Sequence, residues 1–322
     1  MTKENKVYHS VTCRICKSPF SKEYNFKEQM FGFGDEFRYQ ECSSCGCLQI
    51  AELPADIIKY YPPYYYSFTQ KIATLKKLPF LKRLLGNHRI QRKYSKDYNL
   101  LKYLKPINAK IDDRILDVGC GKGQLICDLF NQGFKQVEGV DKFLPQEIDY
   151  GYGVKVMKKE LTELQSHTYD LIMMHHVLEH MDQQKQALTD CRGLLKEEGC
   201  LLIRIPVLGE AWERYQGNWV QLDAPRHFFL HTLKSMSILA EDAGFEIRQT
   251  TYDSTGFQFY ASELYEKKIP LFSAANDYNL HPIEKEFTPG ELKAFEQEAE
   301  KLNAVQRGDS AVFYLYKKPA RS

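Results

Sequence analysis

Three groups of residues in this 322-residue chain have the types and spacing to do chemistry. The first is Asp117-Val118-Gly119-Cys120-Gly121-Lys122-Gly123, an acid followed by three glycines at alternate positions. Glycines so placed let the backbone turn sharply and come close to a ligand, because no Cβ intervenes. The dinucleotide fingerprint G-x-G-x-x-G is spaced differently and serves a pyrophosphate. Asp117 would repel a phosphate, so this turn suits a ligand carrying ammonium or sulfonium charge. Asp141, 24 residues after Asp117, closes the next apolar stretch and offers two acceptor oxygens to ribose hydroxyls.

The second group is Cys13-x-x-Cys16 and Cys42-x-x-Cys45, with 25 residues between the pairs. Paired knuckles of this kind suit a tetrahedral zinc ion, and four thiolates leave no open position for catalysis. Cys47 is an alternative ligand, or more simply a free or buried thiol. Cys120, Cys127, Cys191 and Cys200 lie in apolar segments and read as core residues. The third group is His175-His176-Val177-Leu178-Glu179-His180 together with Trp219 to His231. In the latter, Arg226 suits an anion and His227 suits proton transfer.

The rest of the chain must position these groups. Apolar residues at 43% and charged residues at 27% describe a globular protein. No apolar run approaches the ~20 residues of a membrane span, and the first residues lack a signal-peptide core, so the expected location is cytoplasmic. A net charge of +2 does not by itself point to nucleic acid. Between Lys71 and Lys105, however, eleven Lys or Arg residues face one acid, Asp97. That run reads as a solvated face, or as a peripheral contact with a membrane surface or another anionic partner.

Strand and helix signals alternate after residue 112, which implies βαβ units and a parallel sheet. Arg114 to Val118 is the first strand, and a helix follows from Gln124 to about Asn131. Strands are then expected at Val137–Asp141, Val154–Met157, Tyr169–Met174, Cys200–Val207, Phe245–Thr251 and Ser310–Lys317. Thr288-Pro289-Gly290-Glu291 is a capping box with Pro at the first helical position, opening a helix to about Val305. From Ile90 the spacing Ile90, Tyr94, Tyr98, Leu101 predicts an amphipathic lead-in helix. The run Tyr60 to Phe68, broken by Pro62 and Pro63, is a linker whose aromatics pack the front end or line a pocket.

This order of elements resembles class I S-adenosylmethionine (SAM) dependent methyltransferases over roughly Asp112 to Ser254 plus a closing strand. The resemblance implies an α/β fold: a Rossmann-like seven-stranded sheet with helices on both faces, preceded by a small zinc ribbon. The expected organisation is a zinc-ribbon-like domain over 1–55, a linker with lead-in helices over 56–105, and a methyltransferase domain over 106–322 with an insertion at 255–309. By the same resemblance, Asp117, Gly119, Cys120, Gly121, Gly123 and His175 surround the methionine end of SAM. Asp141 and Lys142 lie at its ribose, and Glu160 with Leu161 at its adenine. Glu179 and His180 are expected to be structural, with His176 a second candidate for catalysis.

The run Asp223-Ala224-Pro225-Arg226-His227-Phe228 before a helix resembles zinc-ribbon methyltransferases of bacterial sugar and glycan modification. Within that group the matching histidine acts as base, which makes His227 the candidate base here. A tyrosine that accompanies it there is Ala224 in this chain, and a further C-terminal domain is absent, so C-methylation of a keto-sugar does not follow. The expected acceptor is a small molecule or glycan, such as a nucleotide-linked sugar or surface polysaccharide precursor, methylated on oxygen or carbon. Phe257, Phe259, Tyr260 and Tyr265 of the insertion are candidate pocket walls. An RNA methyltransferase is the alternative, but no Asn-Pro-Pro-Phe/Tyr motif and no Pro-Cys or Thr-Cys nucleophile is present, so nucleic acid is disfavoured. A catalytically silent partner protein is a third reading, opposed by the intact glycine turn and Asp141.

Overall fold

The computed structural model describes residues 11–65, Leu75 and residues 101–319. The lead-in helix from Ile90 and most of the basic segment 71–105 lie outside the described residues. Twelve strands form two sheets among the described residues.

The larger sheet holds β4 (Arg114–Val118), β5 (Gln136–Val140), β6 (Ile148–Gly151), β7 (Val154–Met157), β8 (Tyr169–His175), β9 (Leu195–Pro206), β11 (Phe245–Tyr252) and β12 (Ser310–Lys317). Their order is β11-β12-β9-β8-β4-β5-β7-β6. β7, β5, β4, β8 and β9 run parallel, and β12 enters antiparallel between β9 and β11. The seven expected strands are present, and β6 adds an eighth at the edge. It pairs antiparallel with β7 across a two-residue turn in which Tyr152 and Gly153 have φ of 56° and 84°. Positive φ at both positions is the turn geometry that matches strand twist in hairpins. Because Tyr150, Gly151, Tyr152 and Gly153 carry little apolar alternation, this hairpin left no clear strand signal.

Alternation along the parallel strands sends neighbours to opposite faces. Ile115, Val137, Leu171 and Met173 pack with the helix Gln124–Asn131 on one face. Leu116, Val118, Ile172 and Met174 pack with the helices Gln184–Leu194 and Leu233–Asp242 on the other. Burying each such side chain is worth about 1.5–3 kcal/mol, which sets the register of the sheet. The capping box at Thr288 is formed, and its helix runs Pro289–Ala304.

The smaller sheet carries the paired cysteines. Its order is β1-β2-β3-β10, with β1 (Phe20–Lys27), β2 (Glu36–Cys42) and β3 (Leu48–Ile50) from the front of the chain. The last strand, β10 (Phe229–Leu230), comes from the other half of the molecule and pairs with Gln49 and Leu48. Tyr39, Leu48 and Ile50 share one apolar core with Leu230 and Met236. The aromatic run packs this junction: Tyr60 and Tyr65 are buried, and Tyr64 stacks on Tyr278 with centroids 3.7 Å apart.

Candidate active site

The crevice at the carboxyl ends of parallel strands is where α/β sheets bind ligands, and the expected cofactor residues gather there. Register places Val118 beside Val140 and Met174, so the glycine turn, Asp141 and His175 emerge together. The three glycines serve different ends. A Cβ on Gly119 would stand 2.7 Å from the Val177 side chain, and one on Gly123 2.6 Å from Val156. These two are small so that the turn packs on its own protein. Gly121, with φ of 52°, has nothing within 4 Å of its Cβ position and is the glycine that opens toward a ligand.

Asp141 braces the turn. Its carboxylate accepts from the Gly121 amide at 2.9 Å and from the Phe143 amide at 2.9 Å. Asp117 is buried, and desolvation, reinforced by the charge of Asp141, pushes its carboxyl up to about 8. A buried acid held neutral in this way gains charge readily beside a cation. His175 Nε2 is buried without a hydrogen-bond partner, and burial drives the ring down to about 3. An open glycine, a cation-seeking acid and an orphaned imidazole nitrogen fit a ligand with an amino-acid end. Cys120 turns its sulfur onto Gly139, where a Cβ would meet it at 2.4 Å. Lys142 and Glu160 pair with each other at 3.3 Å on the exposed rim, and half-buried Leu161 packs against the apolar core.

A cavity of about 350 Å³ has His176, the residue after the His175 that ends β8, in its lining. His176, His180, Asp223 and His227 form one wall, Arg204, Asp253 and Asp309 another, and Phe257, Leu271 and Phe272 a third. His176 (φ 53°) and Asp223 (φ 40°) both hold left-handed backbone, strain of the kind that collects at functional sites. Arg204 donates to His176 Nε2 and, at 2.6 Å, to Asp253; Tyr103 also donates to Asp253. The sequence reading missed Arg204 and Asp253. A charge set between Ile203 and Ile205 in a buried strand was the available signal.

His227 is buried and faces the cavity. Its Nδ1 donates to the Gln221 carbonyl at 2.7 Å, so in the neutral ring Nε2, 3.8 Å from Asp223 Oδ2, carries the lone pair. The segment carrying it is clamped from the cysteine sheet. Tyr39 donates to the His227 carbonyl at 2.8 Å, and the Ile50 amide to the Phe228 carbonyl at 3.0 Å. Arg226, expected to meet an anion, is instead fully buried between Asp223 (2.6 Å) and Glu28 of the cysteine sheet (2.9 Å). The guanidinium also donates to the Tyr60 carbonyl at 3.1 Å and is not among the residues lining the cavity. His231 is likewise internal, bonded to Ser235 and Gln184. Of the four aromatics expected as pocket walls, Phe257 lines the cavity, joined by Phe272 of the same insertion, while Phe259 and Tyr265 are core residues.

The four cysteine sulfurs converge, with Cys13 and Cys45 3.6 Å apart and Cys16 and Cys42 3.3 Å apart. All four lie within 4.8 Å of one another. A tetrahedral ion with bonds of about 2.3 Å needs sulfurs about 3.8 Å apart, so the donor set fits zinc. Amides of Ile15, Ser44 and Cys45 point at these sulfurs from 3.4 Å, as thiolates require. Cys47 stays outside the cluster. No described helix is long and apolar enough to cross a membrane.

Residues 86–250 match the family model described as a methyltransferase domain. A ubiquinone biosynthesis O-methyltransferase of Rickettsia felis is 29% identical over 151 residues, covering 42% of this chain and 61% of that protein. One from Maricaulis maris is 31% identical over 102 residues, 28% of this chain and 39% of that protein. The chain thus spans less than two thirds of either relative. A solved SAM-dependent methyltransferase from Archaeoglobus fulgidus superimposes with a TM-score of 0.41 at 18% identity, covering 74% of this chain and 98% of that one.

Proposed function

Because the chain belongs to the methyltransferase-domain family matched over residues 86–250, we propose that it transfers a methyl group from SAM to a hydroxyl acceptor held in the cavity beside His227. The observation that carries this reading is the adjacency of two differently built spaces at the end of β8. One presents Gly121, Asp117 and His175 to a cationic amino-acid end; the other presents His176, His180 and His227 to an acceptor. SAM supplies an electrophilic methyl on a sulfonium. The chain's own work is to hold the two partners in line and to remove the acceptor's proton, for which His227 Nε2 has the free lone pair. Asp141, bracing the turn, accepts the ribose hydroxyls.

The acceptor class is a small molecule or glycan precursor. Aspartates 223, 253 and 309 line the cavity, which suits hydroxyl groups and repels phosphate. With Arg226 committed elsewhere, the diphosphate of a sugar nucleotide would remain outside while its sugar ring enters against Phe257 and Phe272. The relatives named above are O-methyltransferases, which supports oxygen as the acceptor atom. The cysteine cluster holds a structural zinc ion, and its sheet positions the His227 segment.

Calorimetry with SAM tests the cofactor half: binding is expected, and no binding to the wild-type chain removes the reading. Radiolabelled methyl transfer to a panel of sugar nucleotides and of polyprenylated phenols tests the acceptor half. Label on the sugars supports the glycan class; label on the phenols alone overturns it.

A further inference from the structure

Behind the cavity wall, Glu179 is fully buried and neither of its carboxyl oxygens has a hydrogen-bond partner. A buried carboxyl without aligned donors is expensive, and no hydrogen bond reaches either oxygen here. His180 Nδ1 donates to the Arg226 carbonyl at 2.8 Å, and His227 Nδ1 to the Gln221 carbonyl at 2.7 Å. A carbonyl only accepts, so in each neutral ring Nδ1 carries the hydrogen and Nε2 the lone pair. His176 Nδ1 stands 3.3 Å from Glu179 Oε1 but is not aligned for a hydrogen bond. One ligand atom each from Glu179, His180 and His227 lies within 4.8 Å of the others. Two imidazoles and a carboxylate therefore converge, with the Nδ1–H of His176, whose Nε2 accepts from Arg204, close by but out of line. A second copy of the tautomer-fixing arrangement is found in metal sites, where a ligating histidine gives its other N–H to a backbone carbonyl.

We infer that Glu179, His180 and His227 form a divalent-cation site at the wall of the acceptor cavity. A two-histidine, one-carboxylate set suits zinc, manganese or ferrous iron and leaves positions open. His180 and His227 both line the cavity, so the open side faces the acceptor. An acceptor oxygen bound there would be acidified by the cation and would release its proton to solvent in the cavity, with His227, its lone pair on the metal, serving as ligand in place of its role as base. The role assigned to the acceptor rests on the proposed methyl transfer; the cation site does not. A lone imidazolium at His180 or His227 is the competing way to satisfy Glu179.

Manganese(II) is the probe, because it prefers oxygen and nitrogen donors to the thiolates of the cysteine cluster. Titration of the full chain, with free Mn(II) read by electron paramagnetic resonance, is expected to show one bound ion per chain. Glu179→Gln and His227→Gln should each weaken binding by about 10–100-fold while circular dichroism melting checks that the variants fold. If the variants do not fold, cobalt(II) absorption on the wild type serves. A second equivalent should then add weak visible bands with no further thiolate charge transfer. No Mn(II) uptake by the wild type, or uptake that survives both substitutions, overturns the site. Calorimetric SAM binding in the same samples separates that outcome from failure of the methyltransferase reading.

Discussion

The glycine turn and the His227 segment belong to the same candidate site, yet they are built in opposite ways. Residues 117–123 are held by their immediate neighbours: Asp141 bonds the Gly121 amide, Val140 the Gly119 amide at 2.8 Å, and Val177 packs on Gly119. These partners lie at the ends of β5 and β8, the two strands flanking β4 in the same sheet. Residues 223–231 are held by a part of the chain nearly two hundred positions earlier, through Glu28–Arg226, Tyr39–His227 and β3–β10. A locally braced loop keeps its shape from sequence to sequence and so carries a readable motif. A remotely braced loop takes its geometry from a partner sheet, and its residues alone say little about which way they face.

That contrast can be broken by substitutions that strike one region and spare the other. The largest effect is expected from His227→Ala, which removes the proposed base or ligand. Methyl transfer should fall by about 10²–10⁴-fold, while SAM affinity measured by calorimetry stays within a factor of two or so. A parallel loss of SAM binding would mean the two spaces are one. Arg226→Met comes next. It leaves Glu28 and Asp223 as uncompensated buried charges, at a cost of about 3–5 kcal/mol. Denaturant unfolding should show that loss, with acceptor turnover failing at temperatures where SAM still binds.

Asp141→Ala tests the locally braced side. Loss of charge-assisted bonds of about 1.5–3 kcal/mol should raise the SAM Kd by roughly one to two orders of magnitude, with Mn(II) uptake at Glu179 unchanged. The smallest effect concerns Asp117. Its folded carboxyl titrates near 8, against an ordinary value of 3.8, because burial raises it and the Asp141 charge adds. Between about pH 4 and 8 the folded protein therefore keeps a proton that the unfolded chain has released. Stability should fall as pH rises through that window, by at most about 1.4 kcal/mol per unit. Asp117→Asn should flatten the slope between pH 5.5 and 7.5, and saturating SAM should flatten it too, since the ligand's ammonium favours the carboxylate. A slope unchanged by both would remove Asp117 from the cofactor side.

Much of the sheet was legible because its strands announce themselves by apolar runs and its helices by caps. Ser310–Lys317 and Gln124–Asn131 appear with the bounds their sequences suggest, and Thr288 caps the long helix of the insertion. The hairpin partner Ile148–Gly151 did not, since its pairing depends on the φ angles of Tyr152 and Gly153 more than on any pattern. Glu179 and His180, read as structural, occupy a single tight turn ahead of the helix that begins at Gln184. Glu179 lies in the interior there, in reach of two histidines.

The amino-acid sequence by itself determined the glycine turn, the four-cysteine cluster and the alternating sheet, because spacing within a few residues decides glycine turns, paired cysteine knuckles and strand faces. Only the tertiary structure decided that Arg226 is a clamp and not an anion receptor, that Gly121 alone of the three glycines opens outward, and that Glu179 meets His180 and His227. Those outcomes depend on contacts between residues far apart in the chain, where burial and the choice of hydrogen-bond partner, not residue type, set what each side chain can do.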